Sequence, residues 1–349
     1  MKMSVAKTSY EESLYKNVVS KGRCTSCSAC VIVCPYKCLE YHKGEPVLKT
    51  DCKICGICAQ VCPRYGSSES EVEKFVFGRE STESEPFGIY RRIVAARATD
   101  ERIIKVCQDG GIVTTLLIHA LTSGYIDGAV VSGLSETRPL FPASKTVTTP
   151  EDVLACAGTR YFCSSNLFAV PEALKNHAKV AFIGTPCQVL ALRKLQMLNK
   201  KKYATRMEFV IGLMCSESFS YEGLMEKYIH EKLGCNLSDI KNMNIKGKML
   251  ITMKNGLVQE IPLSEVRQFA RGNCRVCGDF SSTLADISVG GLGLTGWTLT
   301  VIRTEKGDQL FSEAEQTRLV ETKSLGKEET PIKLLTKLSQ LKKQRSAQA

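Results

Sequence analysis

The chain has 349 residues, 17 of them cysteines, with an apolar fraction of 43% and a formal net charge of +11. The apolar fraction argues against a disordered chain. No apolar run of about 18 residues is present, which argues against a transmembrane segment. The basic stretches lack interleaved aromatic residues, which argues against nucleic-acid binding. Because no signal-peptide pattern is present, the sequence predicts a cytoplasmic protein that is at most held on the inner face of the membrane through partners. In the reducing cytoplasm, so many cysteines favour metal ligation over disulfides.

A short helix predicted over residues 9–20 leads into a cysteine block with an internal repeat. Each copy has the spacing Cys-x2-Cys-x2-Cys-x3-Cys-Pro, the bacterial ferredoxin pattern for two [4Fe–4S] clusters, in which the fourth cysteine binds the other cluster. The predicted ligands are Cys24, Cys27, Cys30 and Cys62 for one cluster (set A), and Cys34, Cys52, Cys55 and Cys58 for the other (set B). Two structural zinc sites are the alternative, but such sites pair two CxxC motifs and lack a proline-flanked fourth cysteine.

Cluster ligation changes the meaning of the net charge. A [4Fe–4S] core with four thiolates carries a charge of about −2 when oxidised, so two or three clusters remove roughly half of the positive excess. The remainder suits an anionic cofactor, an anionic substrate or an acidic partner surface, or it is only a solvated basic surface.

The Ser- and Glu-rich residues 66–88 are predicted to be a linker or loop between a two-cluster domain at 1–65 and a larger domain at 89–325. In the larger domain, strands predicted at 92–97, 128–132, 179–183 and 208–213 alternate with helices predicted at 112–123, 150–157, 188–198 and 221–233. This alternation indicates parallel strands, and Asn255-Gly256 between apolar runs predicts a hairpin. The expected class is α+β, an N-terminal dicluster ferredoxin module followed by a larger mixed α/β domain. Residues 326–349 are predicted to be a basic C-terminal tail, and its segment 333–345 is expected to be a frayed, solvated end rather than a helix docked on a partner or membrane.

Four cysteines of the larger domain are placed for a third site. Two of them follow predicted strands, so in one parallel sheet both would lie at its C-terminal edge, where sites gather. The other two form a Cys-x2-Cys pair. The four are Cys187, Cys215, Cys274 and Cys277, called the third set below. Their spacing favours a third cluster and leaves a zinc site or unrelated buried cysteines open. The cysteines predicted to be structural are Cys107, Cys156, Cys163 and Cys235.

A glycine pair precedes the helix predicted at 112–123. Gly110 and Gly111 would let backbone N–H groups approach a phosphate, with Thr114 and Thr115 in the first turn of the helix. No full GxGxxG motif is present, so a dinucleotide-binding fold is not predicted, and for the pair alone an ordinary tight turn is favoured. A second polar, basic turn, Gly158-Thr159-Arg160, could complete such a site, and Gly290-Gly291-Leu292-Gly293 is another loop that would allow close approach.

Seven segments together resemble one family. They are QDGGIVTTLL (108–117), AGTRYF (157–162), IGTPCQVLALR (183–193), GLMCSES (212–218), CRVCGDF (274–280), ADISVGGLG (285–293) and VIRTEKG (301–307). In this order, over residues 88–325, they are similar to the beta subunit of coenzyme F420 hydrogenase/dehydrogenase. With the cysteine repeat ahead of them, the chain most resembles the electron-input subunit of the methanogen F420H2 dehydrogenase complex, which feeds a membrane complex related to complex I.

The resemblance implies FAD, a [4Fe–4S] cluster on the third set and hydride exchange with the deazaflavin coenzyme F420. It places the flavin-binding turns at Asp109 to Gly111 and Gly158 to Arg160. Hydride transfer between stacked rings needs no side-chain acid or base, so no catalytic residue is predicted. The implied partners are subunits of a membrane-bound complex or a ferredoxin.

The expected function is oxidation of reduced F420 by hydride transfer to FAD, followed by single-electron transfer through three clusters to a partner. One alternative is an electron-carrier subunit without its own substrate, which would contain no flavin. Another is a flavin and iron–sulfur reductase of a different substrate, which would not react with reduced deazaflavin.

Overall fold

The computed structural model describes residues 7–66, 68–198, 203, 205–326 and 329–348. Residues 1–6 of the predicted first domain, residue 67 of the predicted linker, and residues 327, 328 and 349 of the predicted tail lie outside the described residues. Within those described ranges, no helix is long and apolar enough to cross a membrane.

Strands in the described part of the chain form three sheets. They are β1 Leu39–His42, β2 Glu45–Leu48, β3 Arg92–Ala98, β4 Gly128–Leu134, β5 Pro142–Val147, β6 Val180–Gly184, β7 Met207–Leu213, β8 Ile240–Lys246, β9 Lys248–Met253, β10 Val258–Pro262, β11 Ile287–Gly290, β12 Thr298–Ile302 and β13 Val320–Ser324. The largest sheet has the order β13-β3-β12-β11-β7-β6-β4-β5. In it β4, β6, β7 and β11 run parallel, and the flanking strands pair antiparallel. The predicted mixed α/β architecture with parallel strands is therefore confirmed.

Helices cover both faces of this sheet. They are Glu11–Val19, Ala29–Val33, Ile57–Val61, Glu69–Phe77, Glu101–Val106, Ile112–Thr122, Pro150–Ala155, Val170–Asn176, Pro186–Met197, Glu222–Lys232, Leu263–Arg267, Gly272–Arg275, Glu305–Gln316 and Thr330–Ala347. Strand β6 is buried along its whole length, and Phe182 packs into one core while Ala181 and Ile183 pack into the other. This burial explains the continuous apolar run of the strand, because a parallel strand is covered on both faces.

The cysteine repeat folds twice in the same way. Ser28 and Gly56, 28 positions apart, have φ angles of 66° and 69° and begin the helices Ala29–Val33 and Ile57–Val61. The hairpin β1–β2 lies between the two copies, and the helix Glu11–Val19 precedes them. Residues of this region and of the helix Pro186–Met197 belong to one hydrophobic core, so the repeat is packed directly on the larger domain.

The predicted linker contains a helix, so the prediction of a loop is wrong for Glu69–Phe77. Ser68 and Glu71 form a reciprocal capping box, and Val72 is fully buried. The Ser and Glu residues that suggested a loop are therefore a helix-start signal. This helix packs against the helix Pro186–Met197.

The predicted frayed end is also wrong, because Thr330–Ala347 is a docked helix. Ile332 and Leu335 are 9% and 0% exposed, and Ser339 and Lys342 continue the buried stripe. The spacing of these residues, three or four apart, places them on one face of the helix. The charged residues that made the segment look solvated lie mostly on the other faces.

A separate antiparallel sheet has the order β10-β9-β8. Thr252 of β9 pairs with Val258 of β10, and the turn between them contains Asn255-Gly256, with Gly256 at a φ of 90°. The predicted hairpin is therefore confirmed.

Candidate redox sites

The two predicted ligand sets of the repeat surround separate cavities. Set B lines a pocket that is partly open to solvent, together with Tyr10, Tyr36, Cys38, Leu39, Leu48, Lys53 and Gly56. Set A lines a second pocket, also partly open, together with Leu14, Val18, Val19, Thr25, Ser28, Pro46 and Pro63. The fourth cysteine of each copy thus lies with the first three of the other. That clusters fill these cavities stays a prediction.

Backbone N–H groups point at cysteine sulfurs in both sets. The N–H of Ser26 lies 3.4 Å from Cys24 Sγ, and that of Tyr10 lies 3.4 Å from Cys52 Sγ. Burial raises the pKa of Cys24 to about 12 and, with the neighbouring thiolates, that of Cys58 to about 12. Such crowded thiols do not ionise together without cations, so the donor set fits an iron–sulfur core, which binds them as thiolates.

The third set gathers at the C-terminal edge of neighbouring parallel strands. Cys187 follows β6 at the start of the helix Pro186–Met197, and Cys215 follows β7. Cys274 and Cys277 come from the helix Gly272–Arg275 and the turn after it. Burial raises the pKa of Cys215 to about 12, with Cys274 and Cys277 adding to the shift, and burial followed by Cys277 raises the pKa of Cys187. The four cysteines therefore lie near one another, with Cys274 and Cys277 buried and Cys187 and Cys215 partly buried.

Cationic side chains surround the third set. Lys342, on the helix Thr330–Ala347, donates to Cys215 O at 2.6 Å, and Arg345 donates to Cys274 O at 3.0 Å. Arg64 is half-buried, and its Nε is buried without a hydrogen-bond partner among the described residues. Burial alone would lower the pKa of Arg64, but Cys277 and Cys187 raise it overall. These charges would balance the negative charge of a ligated cluster.

In the described ranges, no three His, Cys, Asp or Glu side chains are grouped so as to hold one metal ion. Ligands of a four-iron cube bind separate irons at its corners, so their sulfurs lie farther apart than the ligands of one ion. The cysteines of sets A and B are spread around cavities.

Set A and the third set are joined by arginines. Arg271 lies three residues before Cys274, and its Nη2 donates to Cys24 O at 3.3 Å and to Ser26 Oγ. Arg64, two residues after a set A ligand, donates to Asn273 O at 3.4 Å. The loops of the two sets are thus in direct contact.

Two further residues lie at this junction although neither was predicted to belong to a site. Cys163, predicted to be structural, donates through Sγ to Thr25 O at 3.3 Å and lies near both Cys27 and Cys274. Lys194 is on the same helix as Cys187, and its Nζ donates to Cys62 O at a distance of 2.9 Å. Neither has a spacing signal, because each position depends on tertiary contact.

The glycine pair before the helix Ile112–Thr122 is explained by the protein's own packing. A Cβ on Gly110 would lie 2.4 Å from Ala96 O, and one on Gly111, whose φ is 75°, would lie 2.6 Å from Ile103 Cγ2. Thr114 and Thr115 are 7% and 4% exposed, and the hydroxyl of Thr115 donates to Gly111 O within the helix. These residues shape the turn and need no ligand to explain them.

The three predicted turns nevertheless meet. A Cβ on Gly291 would lie 2.6 Å from Asp109 Oδ2, which places the loop after β11 against the Asp109 turn. A Cβ on Gly158, whose φ is 92°, would lie 3.8 Å from Val106 O, which brings the Gly158-Thr159-Arg160 turn beside the same segment. Burial raises the pKa of Asp109, and Lys246 partly opposes this.

Two donors at this meeting point have no partner. Gln108 Nε2 and Arg160 Nε are buried without a hydrogen bond among the described residues. The other guanidinium nitrogens of Arg160 donate to backbone carbonyls, including Ala157 O at 3.1 Å, and burial lowers the pKa of Arg160. Buried donors are rarely left unpaired, so this pair fits an anionic group such as a pyrophosphate. Gln108 was part of the predicted segment but not of the predicted site.

The comparisons with known proteins point to one family. A family model for the coenzyme F420 hydrogenase/dehydrogenase beta subunit N-term matches residues 93–171, and the model for the C terminus of the same subunit matches residues 177–328. Coenzyme F420 hydrogenase subunit beta of Methanococcus voltae is 37% identical over 265 residues, which cover 75% of this chain and 94% of that protein.

Two further similarities extend this picture. An F(420)H(2) dehydrogenase subunit of Methanosarcina mazei is 29% identical over 347 residues, which cover 95% of this chain and 92% of that protein. A chain of the F420-reducing [NiFe] hydrogenase complex from Methanosarcina barkeri is similar in structure, with a TM-score of 0.72 and 35% identity over 77% of this chain and 94% of that one.

Proposed function

Because the chain belongs to the coenzyme F420 hydrogenase/dehydrogenase beta subunit family, we propose that it oxidises reduced coenzyme F420 by hydride transfer to FAD and passes the electrons singly through three [4Fe–4S] clusters. The proposed partner is a membrane-bound dehydrogenase complex or a ferredoxin. The relatives named above are subunits of F420-dependent oxidoreductases, which supports the reaction class.

The observation that carries the proposal is the contact between the loops of set A and the third set. Arg271 reaches from the Cys274 segment to Cys24 O at 3.3 Å. A one-electron relay needs neighbouring carriers, and the three cysteine groups form a continuous series from the larger domain to the repeat. A structural metal site would not need this contact.

FAD, when bound, accepts a hydride and returns two electrons one at a time, the chemistry required between a deazaflavin and iron–sulfur clusters. The unpaired donors of Gln108 and Arg160 would hold its pyrophosphate. Asp109 and Gly291 would form the wall between the turns.

Lys342 and Arg64 would stabilise the charge that the third set gains on reduction. Each reduction adds one negative charge to a buried group, and nearby fixed cations lower the free energy of that state. Lys342 is 5% exposed, so water screens its charge little.

The test starts from composition. Anaerobically purified chain should contain about twelve irons, almost no zinc and one flavin per chain. Stoichiometric zinc with only about eight irons would contradict the third cluster, and absence of flavin would favour an electron carrier without its own substrate.

The Cys277→Ser variant tests the order of carriers, with Cys235→Ser as the matched control. Cys235 belongs to none of the three sets, and its Sγ donates to Gln259 Oε1. On anaerobic mixing with reduced F420, flavin should bleach in both variants, whereas sets A and B should stay oxidised only in Cys277→Ser. Rapid reduction of both sets in Cys277→Ser would refute the order, and an inert flavin in the unmodified chain would point to another substrate.

A further inference from the structure

We infer that electrons leave the chain from set B, and that the surface over it docks a one-electron carrier protein with an acidic face, an inference that rests on the proposed function. This surface, called the exit face below, consists of Tyr36, Lys37, Lys53 and Ile54. All four residues are exposed and lie within three positions of a set B cysteine.

The repeat allows the two cluster loops to be compared position by position. In set A, Thr25 and Ser26 are 3% and 4% exposed, because Arg271 and its neighbours cover them. The equivalent positions of set B are Lys53 and Ile54, and Ile54 is 54% exposed. The loop face that meets the next carrier in set A is therefore uncovered in set B.

A second pair of equivalent positions shows the same difference. Arg64, two residues after Cys62, reaches Asn273 O at 3.4 Å in the larger domain. Tyr36, two residues after Cys34, is 57% exposed. The two copies of the repeat thus have equivalent loop faces. Within the described residues, the face of set A is covered by the larger domain, and the face of set B is not covered.

The backbone at Ile54 gives an independent indication. Its φ is 52°, a left-handed conformation that strongly disfavours β-branched side chains. Glycine or asparagine would adopt it at less cost. With half of its surface exposed, Ile54 gains little from the core of this chain, so contact with another molecule explains an apolar side chain here.

The charge around the exit face selects the partner. Lys37, Lys49 and Lys53 are exposed near set B, against the exposed Asp51. An excess of positive charge around a small apolar centre fits a partner with an acidic surface, because such charges steer encounter and fix orientation. We therefore take an acidic redox protein, rather than a second copy of this basic chain, as the occupant.

The electron count is balanced by two transfers. Oxidation of one reduced F420 to F420 releases two electrons and two protons. Set B would pass the electrons one at a time, and each transfer oxidises its cluster by one electron and reduces the carrier of the partner by one electron.

The test uses iron-loaded chain reduced with dithionite, so that it does not depend on F420 chemistry. After removal of excess dithionite, the reduced chain is mixed by stopped flow with oxidised plant-type [2Fe–2S] ferredoxin as the acidic probe. Ile54→Asn and Lys37→Glu should each lower the second-order rate about tenfold at low salt, because the first removes apolar docking contact and the second reverses a charge that steers the partner. The rate with methyl viologen, which needs no docking face, should change less than about twofold.

The matched controls are Leu257→Asn and Lys254→Glu on the hairpin β9–β10, where Leu257 is 67% exposed. An unchanged ferredoxin rate in both exit-face variants, or an equal loss in the controls, would overturn the inference. A dimer of the unmodified chain that Ile54→Asn dissociates would make the face a contact between copies and would overturn it too. Iron content is measured first, and if Ile54→Asn loses iron, Lys37→Glu alone decides the test. Failure of reduced F420 to bleach the unmodified chain would refute the proposed function without changing these rates.

Discussion

Replacement of Lys342 by methionine should loosen the helix Thr330–Ala347 from the third set. Lys342 is 5% exposed, and its Nζ donates to Cys215 O at 2.6 Å. Methionine keeps most of the length and apolar volume of the side chain but removes the ammonium group. The carbonyl of a predicted cluster ligand then loses its charged donor.

The magnitude follows from the contact. Burial alone would lower the pKa of Lys342, but Cys215 and the other acidic neighbours raise it, so the charged form is the one the site stabilises. A hydrogen bond from a charged group contributes about 1.5–3 kcal/mol, and we expect a loss of about 2 kcal/mol. For a chain of this size that loss lowers the Tm by roughly 3 °C. The reduction potential of the third cluster should also fall, because its reduced form loses a nearby positive charge.

Lys343→Met is the matched control, since Lys343 is the next residue and is exposed. Its stability should stay within about 0.5 kcal/mol of the unmodified chain. Thermal unfolding of anaerobic, iron-loaded protein followed by circular dichroism measures both variants, and a redox titration monitored by electron paramagnetic resonance measures the potential. Equal Tm and potential for Lys342→Met and Lys343→Met would show that the ammonium of Lys342 does not hold the helix in place.

Three further predictions concern stability and binding. Asp286→Asn should lower the free energy of unfolding by about 3–5 kcal/mol in urea, because it leaves the buried Arg193 guanidinium, 3.0 Å away, without its counter-ion; a loss below about 1 kcal/mol would contradict this. Gln108→Met removes an unpaired buried donor, so it should weaken FAD binding about tenfold in a flavin fluorescence titration. The flavin-free protein should be equally stable or more stable. Unchanged FAD affinity would place the pyrophosphate elsewhere. The hydrogen bond from Arg79 lowers the pKa of Glu85 to about 2, so the stabilisation from this pair is present above the unfolded pKa of about 4.3 and is lost as the pH falls toward 2. The difference in urea midpoint between the unmodified chain and Glu85→Gln should therefore shrink between about pH 5 and pH 3. A constant difference would refute the pairing.

The sequence predicts the parts of this molecule that depend on local spacing. The cysteine repeat predicts which side chains share a cavity, since the ligand order is built into the motif. Cys187 and Cys215 each follow an apolar strand, which predicts that both lie at the C-terminal edge of one parallel sheet. The two strands are indeed parallel neighbours. The Ser68 capping box was also a local signal, but it was outweighed by the polar composition around it.

Other features depend on partners far along the chain. Gly110 is required by Ala96 and Thr298, and no property of the Gly110-Gly111 pair separates that role from a phosphate cradle. Cys163 lies between two cysteine sets only because the fold brings Thr25 to it. Such contacts are set by tertiary packing, which a single sequence does not specify.

The docked helix Thr330–Ala347 has a consequence for the order in which the protein matures. A ribosome makes the chain from its N-terminal side, so all twelve predicted ligands emerge before Lys342, Arg345 and Ser346, which bond to carbonyls of the third-set loops. The helix can cover the third set only after the ligands of that set have been made, and in the folded chain it would slow the loss of iron from them. We expect a chain shortened to residue 326 to acquire iron at this set and then to lose it faster to a chelator than the full chain. Equal rates of iron loss would show that the helix seals nothing.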